Sequence, residues 1–171
     1  MKTNKSTWAI DPTHSEISFK VKHMMLSTVT GHFEKFDARV GSIEDDFTDA
    51  EIEVSIDIAS INTKNPDRDA HLKSDDFFNA EEFPKMTFRS VSFDNGLLTG
   101  ELTIRDISKL VSLEANYNGI AVDPYGQTKA GFELSGEINR KDFGLKWNAV
   151  TEAGNIVVSD TIRMIIDVQF I

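Results

Sequence analysis

The end of the chain, residues 161–171, carries an uninterrupted period-2 pattern, and no other feature constrains the fold as strongly. One face of this segment is apolar and the other is mixed; the apolar face consists of Ile162, Met164, Ile166, Val168 and Phe170. Such alternation is typical of a β-strand. A long apolar strand at a chain end exposes unpaired backbone groups, which recruit other chains. Pairing this strand with the first one removes that hazard, so the pattern predicts a sheet closed into a barrel.

The same alternation recurs along most of the chain. It predicts strands at residues 8–11, 16–24, 33–40, 51–58, 86–93, 97–104, 109–118, 129–139 and 157–171. Asn95-Gly96 predicts a two-residue hairpin, and a turn is expected around Gly31. Loops are expected at residues 41–49, which are acidic, and around Gly154-Asn155. Nearly all connections are too short for a parallel crossover, so we expect about eight substantial antiparallel strands.

One stretch interrupts the strand rhythm. Asn65-Pro66-Asp67 combines an N-cap side chain, a proline at the first helical position and an acid in the first turn. These signals predict a helix over residues 66–74, and a second short turn at 79–82 that ends before Pro84. The expected fold is therefore an all-β, eight-stranded antiparallel barrel with one short helical insertion near residues 66–82, in a single domain over residues 1–171.

Composition excludes several classes of function. The 171 residues include no cysteine and carry a net charge of −10, which excludes disulfides and thiol catalysis and disfavours nucleic acid and anionic membrane surfaces as partners. No apolar run approaches the ~18 residues of a spanning helix. The polar N-terminus lacks the apolar core of a secretory signal, so the expected location is the cytoplasm.

The inward face of such a barrel is almost wholly apolar. An eight-stranded barrel is just wide enough to be filled by side chains or to hold one small ligand, and the sequence leaves both alternatives open. Small inward residues favour empty space: Ala38, Gly100, Ala115, Ala130 and Gly136. A hollow with this lining suits a hydrocarbon chain, because each buried methylene contributes about 0.8 kcal/mol. The candidate ligand-binding residues are Ile17, Phe19, Val21, His23, Phe36, Phe78, Phe88, Leu102, Leu113, Ala130, Phe132, Leu134, Met164 and Ile166.

The sequence offers little support for a catalytic or metal site. Its four histidines lack paired metal-ligand spacing, there is no G-x-S-x-G elbow or phosphate loop, and the carboxylates cluster in acidic loops. We therefore expect no catalytic residues, metal or cofactor. His23 shares the phase of Ile17 and Phe19, which leaves two alternatives: a donor to the polar end of a ligand, or an interior histidine with a protein partner.

Several segments together resemble the YceI-like family. They are residues 8–15 (WAIDPTHS), 19–24 (FKVKHM), 31–33 (GHF), 68–78 (RDAHLKSDDFF), 82–84 (EFP) with Phe88, 100–105 (GELTIR) and 138–145 (INRKDFGL). The resemblance runs from Trp8 to the C-terminus in the family's order. It implies an extended, lipocalin-like barrel that binds polyisoprenoid chains or similar long amphiphiles, commonly as a homodimer. One departure is Asp106, which stands where the family usually has glycine, and the export signal of many relatives is not seen here.

These observations lead to a functional hypothesis and two alternatives. We expect a protein that sequesters or carries a long isoprenoid-type lipid without chemistry and without stable membrane insertion. Arg68 and Arg140 are the candidate polar residues at the mouth, beside His23. Each has a structural alternative: Arg68 and Asp69 form an ion pair or cap neighbouring groups, and Arg140 ties two loops together. The alternatives for the whole protein are an enzyme acting on a lipophilic substrate, and a filled barrel serving as an interaction scaffold.

Overall fold

The computed structural model describes residues 6–42, 50–148 and 158–171. The strands are β1 (Ser6–Ala9), β2 (Glu16–His23), β3 (Ser27–Phe33), β4 (Phe36–Ser42), β5 (Glu51–Asp57), β6 (Ile61–Asn62), β7 (Lys85–Asp94), β8 (Leu97–Ile104), β9 (Ile107–Val122), β10 (Thr128–Asn139) and β11 (Val158–Phe170); helix α1 is Pro66–Lys73. Short 3-10 turns lie at Pro12–His14, Ile58–Ser60 and Arg140–Phe143. The predicted loop around Gly154-Asn155 and most of the acidic loop at 41–49 lie outside the described residues.

The strands form one curled antiparallel sheet in the order β1-β4-β5-β7-β8-β9-β10-β11-β2-β3-β6. The predicted all-β antiparallel class and the single helical insertion are confirmed, but the described strands number eleven rather than eight. The predicted turn around Gly31 is wrong. Gly31 lies inside β3 opposite Phe19, because the hairpin between β2 and β3 turns earlier, at Met24 and Met25.

The higher strand count comes largely from two bends. β3 runs into β4 through Glu34 and Lys35 alone, and β5 runs into β6 through the 3-10 turn at Ile58–Ser60. β4 pairs with β5 and β3 pairs with β6, both antiparallel. Backbone hydrogen bonds from Asp57 to Lys35 and from Glu34 to Ser60 connect the two bends. With each bent pair taken as one long strand, the sheet from β2 round to β11 has the eight members that the alternation predicts.

The two ends of the chain meet where the sheet curls back on itself. β1 pairs with β4, and Ala9 exchanges two backbone hydrogen bonds with Ile171, at 2.9 and 2.8 Å. Ile10 then forms a bridge with Phe170. β11 pairs along its length with β10 on one side and with β2 on the other, from Asp167 beside Glu16 to Val158 beside His23. The last strand thus contacts the first only at its end.

A bulge in β7 changes which of its residues face inward. The register between β7 and β8 shifts between Ser90 and Ser92, and Val91 is exposed there. An extra residue in one strand reverses the alternation beyond it. Phe88 and Phe93 therefore both face the interior although their spacing is odd.

Helix α1 forms for the reasons that its sequence indicates. The Asn65 side chain accepts a hydrogen bond from the Arg68 backbone N–H, and Pro66 occupies the first turn. The helix ends at Lys73, with Ser74 as C-cap. The turns that follow are held by Arg105, whose guanidinium donates to the carbonyl oxygens of Asp75 and Phe77 and pairs with the Asp75 carboxylate at 3.1 Å. Within the three described ranges, no helix has the length and apolarity that crossing a membrane requires.

Inward glycines in the sheet provide room for neighbouring rings. A Cβ placed on Gly100 would collide with the Phe88 ring and with the backbone oxygen of Arg89, 2.6 Å away. Gly31 is covered by Phe19 in the same way, and Gly136 by Leu113. A Cβ on Gly131, in contrast, would meet only an ordinary contact with Asn118 at 3.7 Å.

We expect Gly100→Ala to lower the free energy of unfolding by about 1–3 kcal/mol, because the new methyl group overpacks the site under Phe88. The matched control Gly131→Ala, on β10, should change it by no more than about 0.5 kcal/mol. Urea denaturation followed by circular dichroism measures both. Equal stability of the two variants would show that Phe88 does not pack tightly over Gly100.

Candidate functional site

The curled sheet encloses an apolar cavity. Its volume is about 200 Å³. A single water needs about 10–15 Å³, so the cavity far exceeds a packing defect. The lining is apolar except for Ser18 and Arg140, and includes Ile10, Val40, Ile56, Leu72, Phe77, Met86, Phe93, Ile104, Ala115, Leu145, Val158, Ile162, Val168 and Phe170. Of the two alternatives left open by the sequence, the hollow interior is the one present.

Most of the predicted ligand-binding residues line this cavity. They are Ile17, Phe19, Val21, Phe78, Phe88, Leu102, Leu113, Phe132, Leu134, Met164 and Ile166. The inward glycines do not create the space, since Phe88 covers Gly100 and Leu113 covers Gly136. Ala38 and Ala115, however, lie directly on the wall.

Two predicted residues are buried or partly buried but do not border the cavity. Ala130 is fully buried in a cluster with Phe132 and Phe170, which do line the cavity. Phe36 packs between the two largest core clusters. Phe36 shares the phase of Ala38 and Val40, which do line the cavity, but it lies at the very start of β4, beside the bend at residues 34–35. Phe33, at the end of β3, lines the wall on the other side of that bend.

The prediction that His23 faces the interior is wrong. Val21 is the last β2 residue on the cavity wall, and β2 continues past it to His23, which is exposed at the start of the hairpin turn. The phase is the predicted one, but this strand end projects beyond the enclosed space. His23 lies opposite Val158, which does line the cavity.

Arg140 is buried at 2% exposure and binds backbone carbonyls. Its Nε donates to Ser159, and Nη1 donates to Leu145 at 2.6 Å and Trp147 at 2.8 Å. Its Nη2 contacts the Val158 carbonyl at 3.4 Å and lies 3.9 Å from Asp160. Burial lowers the pKa of this guanidinium from its ordinary value, and Asp160 acts in the opposite direction; arginine nevertheless stays charged. All its nitrogens are engaged, so the structural alternative, an arginine tying two loops together, describes its contacts.

Arg68 also has a structural partner and does not line the cavity. Its Nε and Nη2 donate to the hydroxyl and carbonyl oxygens of Thr63, at 2.9 and 2.7 Å. Asp69 accepts from the Thr63 backbone N–H at 2.8 Å. The charged pair on α1 therefore fixes the buried Thr63, which precedes the helix.

Helix α1 and the turns after it cover one part of the cavity. Leu72, Phe77 and Phe78 contribute to the wall. On the outer side, His71 binds Asp76 at 2.8 Å and its ring packs edge-on against Trp147, with centroids 4.6 Å apart. Trp147 thus connects the covering segment to the loop that follows Phe143.

A second polar cluster lies near the meeting point of the chain ends. Asp11, 7% exposed, accepts hydrogen bonds from Lys129 Nζ at 2.9 Å and Thr13 Oγ1 at 2.7 Å, and contacts His14 Nδ1 at 2.8 Å. The bond from Lys129, followed by those from Thr13 and His14, holds the pKa of Asp11 well below its usual range. Asp11 in turn raises the pKa of Lys129.

Asp123 completes this cluster on the Lys129 side, at 3.6 Å from Nζ. Backbone N–H groups, chiefly that of Gln127, lower its pKa. The cluster joins β10 to the turn after β1 and does not border the cavity. In the described part of the chain, no three His, Asp or Glu side chains are grouped as a metal ion would require.

Comparison with known proteins places this architecture in a family. The YceI-like domain model matches residues 8–170. The chain belongs to the YceI-like family. This YceI-like domain is 34% identical over 166 residues to the UPF0312 protein of Staphylococcus aureus strain N315, covering 96% of this chain and 97% of the relative. It is 35% identical over 161 residues to a UPF0312 protein of Staphylococcus epidermidis strain RP62A, covering 94% of each.

Solved structures share the fold of this YceI-like domain. The Campylobacter jejuni YCEI protein is 36% identical with a TM-score of 0.71, and the match covers 86% of this chain and 87% of that one. BcnA of Burkholderia cenocepacia is 21% identical with a TM-score of 0.79, covering 94% and 98%. A polyisoprenoid binding domain from Saccharophagus degradans is 17% identical with a TM-score of 0.72, covering 95% and 97%. At these lower identities, the last two show the fold alone.

Sequence reasoning missed several wall residues of the YceI-like domain. Ile52, Val54 and Ile56 were on the inward phase of a predicted strand, and that phase was sufficient to select them. Phe33 and Phe93 were hidden by the bend at 34–35 and the β7 bulge. Leu145 lies outside any strand, so no periodicity indicates its place on the wall.

We expect Arg140→Met to lower the free energy of unfolding by about 2–4 kcal/mol, because several carbonyl groups lose their charged donor. The neighbouring Lys141 is about half exposed, so the control Lys141→Met should change it by about 0.5 kcal/mol or less. Guanidinium chloride denaturation measures both. A stable Arg140→Met variant would mean that other groups satisfy these carbonyls.

The low pKa of Asp11 predicts an acid-dependent loss of stability. The Asp11 carboxyl protonates near pH 3.9 in the unfolded chain and only at lower pH in the folded one. Its contribution to the free energy of unfolding is therefore complete above about pH 4 and decreases as the pH falls below that value. Asp11→Asn should cost about 1–3 kcal/mol at pH 7, and its stability should fall less steeply between about pH 4 and pH 2. Urea denaturation across this range measures the slope. Parallel slopes for wild type and variant would contradict the assignment.

Proposed function

We propose that this protein binds one long isoprenoid-type chain in the cavity and sequesters or carries it without chemical change. The observation that carries the proposal is an enclosed space whose wall is apolar except at Ser18 and Arg140. Burial of hydrocarbon in such a space contributes about 0.8 kcal/mol per methylene, which offsets the loss of freedom on binding.

The dimensions of the wall favour a long chain. On β11 alone, wall residues extend from Ile162 to Phe170, which is about 26 Å at ~3.3 Å per residue. A tilt of about 35–45° reduces this to about 20 Å along the barrel axis. This exceeds the thickness of one acyl layer of a bilayer, about 15 Å or half of the ~30 Å hydrocarbon core, which favours a long chain.

The wall also favours a chain without a charged group inside. The Arg140 nitrogens bind protein carbonyls, and the Ser18 hydroxyl donates to the Ile165 carbonyl at 3.0 Å. A buried carboxylate or phosphate would have no donor to compensate its desolvation, which costs several kcal/mol. We therefore place the polar end of the ligand outside the wall. Of the three predicted polar candidates, His23 remains, since it lies beside the wall residue Val158.

The comparisons support a binding role. The family match and the likeness to a structure described as a polyisoprenoid binding domain favour a lipid-binding protein over an enzyme. We propose in addition that residues 1–171 form a single lipid-binding domain, and that the protein is a cytoplasmic homodimer; these proposals come from the sequence and from the resemblance to the family.

Solvent extraction of the purified protein followed by mass spectrometry tests the proposed function. We expect about one long, uncharged isoprenoid-type molecule per chain. Chemical conversion of that molecule during incubation would favour the enzyme alternative. Repeated absence of lipid, also after incubation with a long-chain isoprenoid alcohol, would favour the scaffold.

We expect Ala115→Phe to reduce lipid content at least tenfold, because the ring enters the cavity from a wall position; overpacking should cost about 1–3 kcal/mol of stability. Ala121→Phe is the matched control on the same strand, at an exposed position, and should retain wild-type lipid content. Extraction and mass spectrometry of both variants give the comparison. Ala130→Phe is less suitable, since Ala130 lies behind the wall.

A further inference from the structure

The hairpin between β2 and β3 differs from the rest of the surface in charge. Residues 17–31 include two lysines and no Asp or Glu, in a chain with 28 acidic residues; the acidic neighbour Glu16 lies at the far end of β2, where it contacts His32. Lys20 and Lys22 are both exposed on the outer face of β2, and Lys22 Nζ binds Thr28 Oγ1 at 3.0 Å across the hairpin. This hairpin is a locally cationic part of a protein with a net charge of −10.

The tip of the same hairpin is apolar and exposed. Met25 is 63% exposed and Leu26 is 83% exposed. Scattered exposed apolar residues are common, but these two are adjacent at a loop tip. A tip of this composition beside cationic strands is typical of surfaces that contact a bilayer, where apolar side chains enter the hydrocarbon and lysines meet the headgroups.

The backbone of this turn is also unfavourable for its residues. Met24 and Met25 have φ of 52° and 59°, and the turn is closed by a hydrogen bond from the Leu26 N–H to the His23 carbonyl at 3.0 Å. Positive φ at both central residues is the type I′ arrangement, which favours Asn-Gly; the β7–β8 hairpin has that pair, Asn95-Gly96. Unbranched apolar residues in the left-handed region point to a role for the side chains rather than to turn stability.

The hairpin tip lies at one end of the cavity wall. His23 pairs with Val158, and Val21 precedes it on the same face of β2; Val21 and Val158 both line the cavity. A membrane in contact with the tip would therefore lie close to this end of the wall.

We propose that the β2–β3 hairpin docks on the surface of a bilayer that contains anionic lipid, with Met25 and Leu26 in the hydrocarbon and Lys20 and Lys22 at the headgroups. This docking brings one end of the cavity to the membrane, so that a long chain moves between bilayer and cavity with little exposure to water. The acidic remainder of the surface orients the protein with the hairpin toward the membrane. The inference rests on the proposed lipid-binding function.

Vesicle flotation tests the docking. The probes are vesicles of phosphatidylcholine alone and of phosphatidylcholine with about 30% of the anionic lipid phosphatidylglycerol. We expect binding to the anionic vesicles at about 0.15 M salt, where the Debye length of ~8 Å screens repulsion by the acidic remainder of the surface more than attraction by the adjacent lysines. The double variant Met25→Ser/Leu26→Ser should reduce it at least tenfold, and Lys20→Glu/Lys22→Glu should abolish the preference for anionic vesicles. The matched control Val122→Ser/Tyr125→Ser changes two apolar residues of the β9–β10 hairpin, which are 66% and 94% exposed but lie beside the acidic Asp123. This control should bind vesicles as the wild type does.

A second variant separates the docking role from the fold. Met24→Asn/Met25→Gly installs the residues that a type I′ turn favours, so we expect Tm to rise by about 2–4 °C. Its binding to anionic vesicles should nevertheless fall. A stabilised variant that loses binding supports a functional reason for the methionines; a variant with wild-type binding overturns it.

Three further results would overturn the proposal. The first is no binding of the wild type to either kind of vesicle, and the second is a loss of vesicle binding in the β9–β10 control equal to that in the hairpin variant. The third is conversion of a dimer to a monomer by Met25→Ser/Leu26→Ser, which would make the tip a contact between copies. Lipid content, measured by extraction from the same preparations, distinguishes this failure from failure of the proposed function. If the protein contains lipid but the hairpin substitutions leave its vesicle binding unchanged, only the docking inference fails.

Discussion

The enclosed cavity depends on backbone pairing around the curled sheet. The hydrogen bonds between Ala9 and Ile171 and the bridge from Ile10 to Phe170 join the start of the chain to its end, and the bends after β3 and β5 supply the other connection through β6. A flat sheet with the same strands would place its apolar side chains on an open face. Curling turns those side chains toward a shared interior. Space is left there by the small residues Ala38 and Ala115, and by the rings of Phe19 and Phe88, which pack over glycines.

The sequence predicted the parts of the fold that follow from regular alternation. β2, β5, β8, β10 and β11 agree within a few residues, because each has one clear apolar phase and lies between recognisable turns. The Asn65-Pro66 helix start and the Asn95-Gly96 hairpin were also correct, since each has a local physical signal. The family resemblance added the lipocalin-like architecture, which alternation alone does not specify.

The errors occur where alternation stops being a guide to direction. Phe33 was omitted because the two-residue bend between β3 and β4 resets the phase, and Phe93 was omitted because the bulge at Val91 resets it again. For His23 the phase was right, but no sequence pattern tells where the enclosed space ends along a strand. Arg140 has an ordinary sequence context, and only the positions of Leu145, Trp147 and Ser159 show that its donors are engaged.

The absence of free polar groups on the described wall has a consequence for recognition. A site that hydrogen-bonds a headgroup strongly rejects analogues that lack this headgroup. An apolar pocket, in contrast, discriminates between chains that differ by one methylene by a factor of only about 10–200. Selection in this cavity therefore comes from length, shape and the exclusion of buried charge. Any recognition of a polar end occurs outside the wall, where His23 and the lysines of β2 lie.

The hollow interior also affects the stability of the protein. Cavities in packed cores cost about 24 cal/mol per Å³, so 200 Å³ corresponds to on the order of 5 kcal/mol, comparable to the whole stability of many domains. A filled barrel would avoid this cost with a few larger side chains, for example at Ala38 and Ala115. A chain that occupies the cavity restores the missing contacts and binds only the folded state, so it stabilises the fold in proportion to its concentration and affinity. The same space that lowers the stability of the empty barrel is thus, on the proposed function, the source of the free energy of lipid binding.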